Sequence, residues 1–168
     1  MSNKIHETSK ISSQADLEQS SRGSQIIIGK NSMVDAFVKM KFAGGSANIE
    51  IGDQCYINSG CVLYSGGGIK MGNKVLIAAN CTFAPVNHGT YLGQAMLEQD
   101  FKESRGGIVI GDDVWIGANC VLLDGAIIPN GTIIAAGSVV NKELTIGNAI
   151  YTGIPAKFLK LRPTKPTT

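Results

Sequence analysis

The chain has 168 residues, of which 43% are hydrophobic and 17% charged, with 21 glycines, 6% aromatics and a net charge of +2. That is enough for one domain with one core, and too little charge to imply a nucleic-acid partner or an anionic membrane surface. No apolar run approaches the ~18–20 residues that span a bilayer, and the polar segment Met1–Lys10 lacks a signal-peptide stretch, so a cytoplasmic location is expected.

Residues 1–25 are polar and Ser-rich and show no periodicity; they are expected to form a leader, loose or with a short helix around Asp16-Leu17-Glu18. From residue 26 a six-residue beat begins. It runs in triplets: Ile28, Val34, Met40; then Ile51, Ile57, Leu63; then Met71, Ile77, Phe83. The phase slips after Gly44-Gly45, after Ser65-Gly66-Gly67-Gly68 and after Asn87-His88, always following the third hexapeptide of a set. From Ile110 the beat continues unbroken through Ile116, Leu122, Ile128, Ile134 and Val140. A second inward set runs Val114, Cys120, Ala126, Thr132, Ser138.

Hexapeptide periodicity of this kind marks a parallel β-helix. Three hexapeptides make one turn of a three-sided prism, and insertions leave from one corner. Five turns and a partial sixth near Ile146-Gly147 are expected, over residues 26–153. Glycine at the second position of many repeats (Gly29, Gly52, Gly72, Gly111, Gly117, Gly147) suggests corner dihedrals that penalise a Cβ. Residues 89–109 form one long extruded loop, longer than most loops in compact domains and therefore a candidate functional element. Residues 154–168 form a basic tail carrying Lys157, Lys160, Arg162 and Lys165.

Cys55, Cys61, Cys81 and Cys120 all fall at inward positions, and the last three are expected to stack in a column as small buried side chains in a reducing compartment. Their spacing is unlike that of zinc ligands, and no metal requirement is expected. The two histidines are His6, in the leader, and His88, at an outward position where the long loop leaves. From its position alone, His88 is equally a proton carrier near neutral pH or a ring that hydrogen-bonds the loop base. Trp115, the single tryptophan, is also outward, for packing on the loop, on another subunit or on a ligand. Val121, Ile127, Ile133 and Val139 follow it at outward positions and suggest an apolar stripe for contact with other chains.

Asn87-His88, the loop, and then Ile110-Gly111-Asp112-Asp113-Val114-Trp115-Ile116-Gly117-Ala118-Asn119 together resemble the left-handed β-helix acyltransferases. Ala135-Ala136-Gly137-Ser138-Val139-Val140-Asn141-Lys142 and Gly153-Ile154-Pro155-Ala156-Lys157 add to the likeness. It covers roughly residues 26–162 and is nearest to the galactoside and maltose O-acetyltransferases and their relatives in surface-polysaccharide synthesis. The resemblance implies an all-β fold, a single-stranded left-handed β-helix, against the usual right-handed crossover. It further implies a homotrimer with active sites between subunits, and acetyl-CoA as co-substrate. His88 falls on the family's catalytic base, and Asn58 on a polar residue of the acceptor site. Trp115 and Ala118 fall on the wall of the acetyl-CoA groove, Trp115 close to the acceptor as well. Ala136, Asn141 and Lys142 fall on positions that hold the pantetheine arm, and Lys157 and Lys160 near those that meet the CoA phosphates.

The helical N-terminal segment of the maltose and galactoside enzymes is replaced by the polar leader, which leaves the acceptor open. The expected activity is O-acetylation of a sugar or glycan hydroxyl. N-acetylation of an amino sugar or nucleotide-amino-sugar, acetylation of an antibiotic hydroxyl, and a non-catalytic assembly scaffold are the alternatives. Two histidines are too few for the γ-class carbonic anhydrases, prisms whose zinc takes three.

Overall fold

The computed structural model describes residues 2–165. The chain winds into a three-sided parallel β-helix whose faces are three sheets, here A, B and C. Coil 1 contributes β1 (Lys4–Ile5), β2 (Lys10–Ile11) and β3 (Asp16–Leu17) to faces A, B and C in turn. Coil 2 repeats this with β4 (Ile26–Ile28), β5 (Met33–Val34) and β6 (Lys39–Lys41), and coil 3 with β7 (Ile49–Ile51), β8 (Tyr56–Ile57) and β9 (Val62–Tyr64). Coil 4 holds β10 (Ile69–Met71), β11 (Leu76–Ile77) and β12 (Thr82–Ala84). Coil 5 holds β13 (Ile108–Ile110), β14 (Trp115–Ile116) and β15 (Val121–Leu123), and coil 6 holds β16 (Ala126–Ile128), β17 (Ile133–Ile134) and β18 (Val139–Val140). A last partial turn bridges Glu143 to Ile127 on face A and adds β19 (Ala149–Thr152) to face B. β20 (Lys157–Leu161) then folds back antiparallel on β19. This is the left-handed prism that the resemblance implied.

Every residue of the main beat, from Ile28 to Val140, is buried, as are Val114, Cys120, Ala126, Thr132 and Ser138. Single rungs bury little; the stacked column makes one continuous core. The three phase slips leave from the C/A corner, at residues 42–48, 65–68 and 85–107. The long loop ends at Gly107, because Ile108 and Val109 already pair with Ile69 and Lys70.

Three expectations are corrected. The segment expected to be a loose leader with a helix around Asp16-Leu17-Glu18 is coil 1 of the prism, with Asp16–Leu17 paired to Lys39 and Met40. Ile11, Ala15 and Leu17 pack on the core from it. The described residues therefore make six full turns.

The second correction concerns the apolar stripe. Trp115, Val121 and Ile127 lie on three different faces, since a six-residue step advances one face. The real ladder runs up face B, one outward residue per coil: Met33, Tyr56, Leu76, Trp115, Ile133, Ile150.

The third concerns the repeat glycines. Positive φ falls instead two residues later, on Asn31 (φ 53), Gln54 (φ 58), Lys74 (φ 57) and Asp113 (φ 54). The glycines are needed for space: a Cβ on Gly72 would lie 2.5 Å from Asp112 Oδ1 and 2.8 Å from the Gly111 carbonyl carbon. That closeness reflects an Asx ladder at the A/B corner. Asp53, Asn73, Asp112 and Asn130 each place Oδ1 on a backbone N–H of the coil below, accepting from Lys30 (2.7 Å), Asp53 (2.8 Å), Asn73 (2.6 Å) and Asp112 (2.8 Å).

Candidate active site

The site residues expected from the sequence fall at four places: the B/C corner, face B, the C/A corner and β20. Asn58, Ala118 and Ala136 lie along the B/C corner, in coils 3, 5 and 6, where the Ala118 carbonyl accepts from Gly137 N at 2.8 Å. Asn58 is two rungs below Ala118, ~10 Å along the axis at the usual strand spacing, and its Nδ2 donates to the Ile77 carbonyl at 2.7 Å. Trp115 stands on adjoining face B, 47% exposed, in a groove of about 190 Å³ with Lys74, Leu76, Ile133 and Arg162. Arg162 is held there by Asp113 (2.8 Å) and the Gly131 carbonyl (2.9 Å).

His88, Asn141 and Lys142 lie on the C/A corner instead, a full face away. His88 is exposed at the mouth of an open cleft of about 550 Å³ lined also by Asn87, Thr90, Met96, Lys102, Glu103 and Arg105. Asn87 is also exposed and lines this cleft. Arg105 joins the cleft to Asn141, donating to the Asn141 carbonyl at 3.2 Å. At the upper end of the prism, Lys142 and Lys157 share a second cleft of about 280 Å³ with Tyr151 and Phe158. Lys160 is exposed on β20, paired with Ile150. One chain thus separates Asn58, Ala118 and Trp115 from His88.

The loop that shapes the His88 cleft is folded. Its two limbs pair through a bridge between His88 and Phe101. Gln99, buried at its centre, accepts from Tyr91 N at 2.8 Å and donates to the carbonyls of Tyr91 (3.0 Å) and Gln94 (3.1 Å). Its base is tied to the prism by Asp124, which is 1% exposed. The Asp124 carboxylate accepts from Ser104 Oγ (2.7 Å), Arg105 N (2.8 Å) and Gly107 N (3.1 Å). Burial alone would raise the Asp124 pKa; those hydrogen bonds and the Arg105 charge outweigh it and hold the carboxyl below its ordinary value.

Sequence reasoning missed Gln99, Phe101 and Asp124. Only Asp124 left a trace, as an Asp-Gly at the corner where the beat is otherwise unbroken.

The cysteines are buried in the column expected, with Cys61, Cys81 and Cys120 on successive coils. The Cys81 contact and burial push the Cys120 thiol up. Cys81, which the Cys120 contact alone would lower, is carried up to about 11 by Cys61 and by burial. Protonated and enclosed, neither is a nucleophile.

Residues 107–142 match the family model for the bacterial transferase hexapeptide (six repeats). Among solved structures, the chain overlays the N-acyltransferase AntD from Bacillus cereus, in complex with dTDP and 3-hydroxybutyryl-CoA, with a TM-score of 0.78 at 24% identity, covering 94% of this chain and 81% of that one. A maltose O-acetyltransferase from Clostridium difficile 630 gives 0.65 at 20% identity, covering 97% and 71%. A hexapeptide-repeat acetyltransferase from Vibrio cholerae O1 biovar eltor, complexed with acetyl coenzyme A, gives 0.60 at 25% identity, covering 84% and 72%. The likeness to hexapeptide-repeat acyltransferases therefore lies in sequence over 107–142 and in fold over nearly the whole prism.

Proposed function

We propose that the protein is an acetyl-CoA-dependent acetyltransferase acting on a sugar or glycan hydroxyl, with a role in surface-polysaccharide synthesis, and that it works as a homotrimer. The observation that carries the reading is the exposed imidazole of His88 at the mouth of a cleft walled by an ordered loop. In the reaction His88 takes the proton of the acceptor hydroxyl as its oxygen attacks the thioester carbonyl. The acyl C–O bond forms and the C–S bond breaks. The coenzyme A thiolate leaves and is protonated, returning the imidazole to its neutral form. A hydroxyl, unlike a free amine, is a poor nucleophile without such a base, which favours O- over N-transfer.

The second reading, an amino-sugar acceptor, is supported by an N-acyltransferase of this fold solved with dTDP-4-amino-4,6-dideoxyglucose and coenzyme A.

Two grooves support acetyl-CoA as the co-substrate. The Trp115 groove supplies a flat apolar wall, and the cleft of Lys142 and Lys157 supplies cations for phosphates. The trimer is supported by the face B ladder, of which Met33, Leu76 and Trp115 are exposed in a single chain. It is also supported by the division of the site residues between corners, since a seam between two copies would rejoin them.

The test is free-thiol release from acetyl-CoA against neutral sugars, amino sugars and nucleotide-sugars. His88→Ala is expected to cut turnover by about 10²- to 10⁴-fold, with both proteins remaining trimers by light scattering. Unchanged turnover in the variant removes His88 from the chemistry. A monomer at micromolar concentration removes the shared site.

A further inference from the structure

We propose that Phe101 is the positioning residue of His88, its ring setting the direction in which the imidazole faces the cleft. The inference rests on the reading of His88 as the base.

The backbone brings the two side chains together. Gly89 N donates to the Asp100 carbonyl at 2.8 Å, and Lys102 N donates to the Asn87 carbonyl at 2.7 Å. These bonds flank the His88–Phe101 bridge, so the two residues form a non-hydrogen-bonded antiparallel pair. In such a pair the side chains stand closest together. The ring centroids are 4.3 Å apart with the planes tilted by 46°. This is an aromatic contact of the kind that fixes relative orientation.

Phe101 also approaches the prism. Its Cε1 lies 3.5 Å from the place a Cβ would take on Gly44, at the C/A corner of coil 2. Gln99 fixes the limb two residues earlier. Phe101 nevertheless stays 50% exposed. The half-exposed ring makes a tilted contact with the imidazole. The group that usually orients a catalytic histidine is a hydrogen-bonded carboxylate or carbonyl. Here the Phe101 ring takes that place.

The chain has two histidines, so its imidazole proton resonances are few, and those of His88 are identified by their loss in His88→Ala. In the intact protein the His88 ring protons are expected to be displaced by the Phe101 ring current. Phe101→Leu should abolish the displacement and Phe101→Tyr should keep it. With the acceptor that the native enzyme uses best, Phe101→Leu should lower kcat by about 10- to 100-fold, the cost of a misplaced reacting group. KM for acetyl-CoA should stay within about twofold, because Phe101 lines neither of the two grooves assigned to the coenzyme. Phe101→Tyr should restore kcat. His88 resonances that do not move in Phe101→Leu overturn the inference whatever the activity. So does wild-type turnover in Phe101→Leu when His88→Ala is inactive. Wild-type turnover in both variants overturns the assignment of His88 as base, and the positioning role with it.

Discussion

At the scale of single residues, the least expected group is Asp124, an acid enclosed at a corner of the column. Its three donors come from the returning limb of the loop, so its charge state governs the wall of the His88 cleft. The folded pKa is below the ordinary value of 3.8, so the anchoring free energy is fully present above 3.8 and lost as pH falls through the folded value. Amide exchange at Arg105 and Gly107, corrected for intrinsic rates, should therefore be flat from pH 7 to 5 and rise steeply below 3.8. Asp124→Ala leaves buried donors without an acceptor and should loosen the loop base by about 1–3 kcal/mol at neutral pH. Equal protection at pH 3 and pH 7 would show that the carboxylate does not anchor the loop.

At the scale of the strand and its corner, the sequence discloses whatever repeats and hides whatever pairs across. The beat identifies the inward residues of coils 2 to 6 because each rung meets the same neighbours above and below. Coil 1 keeps the step in Ile5, Ile11 and Leu17, but its second inward set is Asn3, Ser9 and Ala15, and no glycine follows its beat residues, Gly23 lying instead at the C/A corner. Polar fillers suit the end of a stack, and they obscured the period. His88 was legible because it stands where the beat breaks; Phe101 and Gln99 were not, because their partners are set by the loop's own fold.

The corners also separate two reasons for glycine, space and dihedral. Gly72→Ala meets the next coil at ordinary φ and should cost about 1–3 kcal/mol through overpacking. Phe37, 60% exposed, sits at φ 62 where other coils place Gly60, Asn80, Asn119 and Gly137. Phe37→Asn should gain up to about 1 kcal/mol by easing the left-handed backbone. Urea unfolding reads both; a Gly72→Ala protein as stable as the parent would remove the steric account.

At the scale of the whole molecule, both ends of the stack are protected against further pairing. The starting edges are two-residue strands carrying Lys4, Lys10 and Asp16, and the finishing rung of face B is overlaid by β20. The interior coils then have no free neighbour to lose, and opening any one of them strips two interfaces at once. Stability in such a column is carried between rungs more than within them. The four thiols report on this without added probes. Cys55 and Cys61 belong to coil 3, Cys81 to coil 4 and Cys120 to coil 5, and none is more than 1% exposed. If the middle coils open only together, all four should resist an aromatic disulfide reagent in the native state and react in urea with one shared midpoint. That midpoint should coincide with loss of β-sheet circular dichroism and shift equally for every thiol in Gly72→Ala. The raised pKa values of Cys81 and Cys120 belong to the folded column and are lost on opening, so the midpoint, and not the native-state rate, is the quantity to compare. A Cys120 that reacts at lower urea than Cys55 would mean that coils above the long loop unfold separately, with the 89–107 insertion dividing the prism into two cooperative blocks.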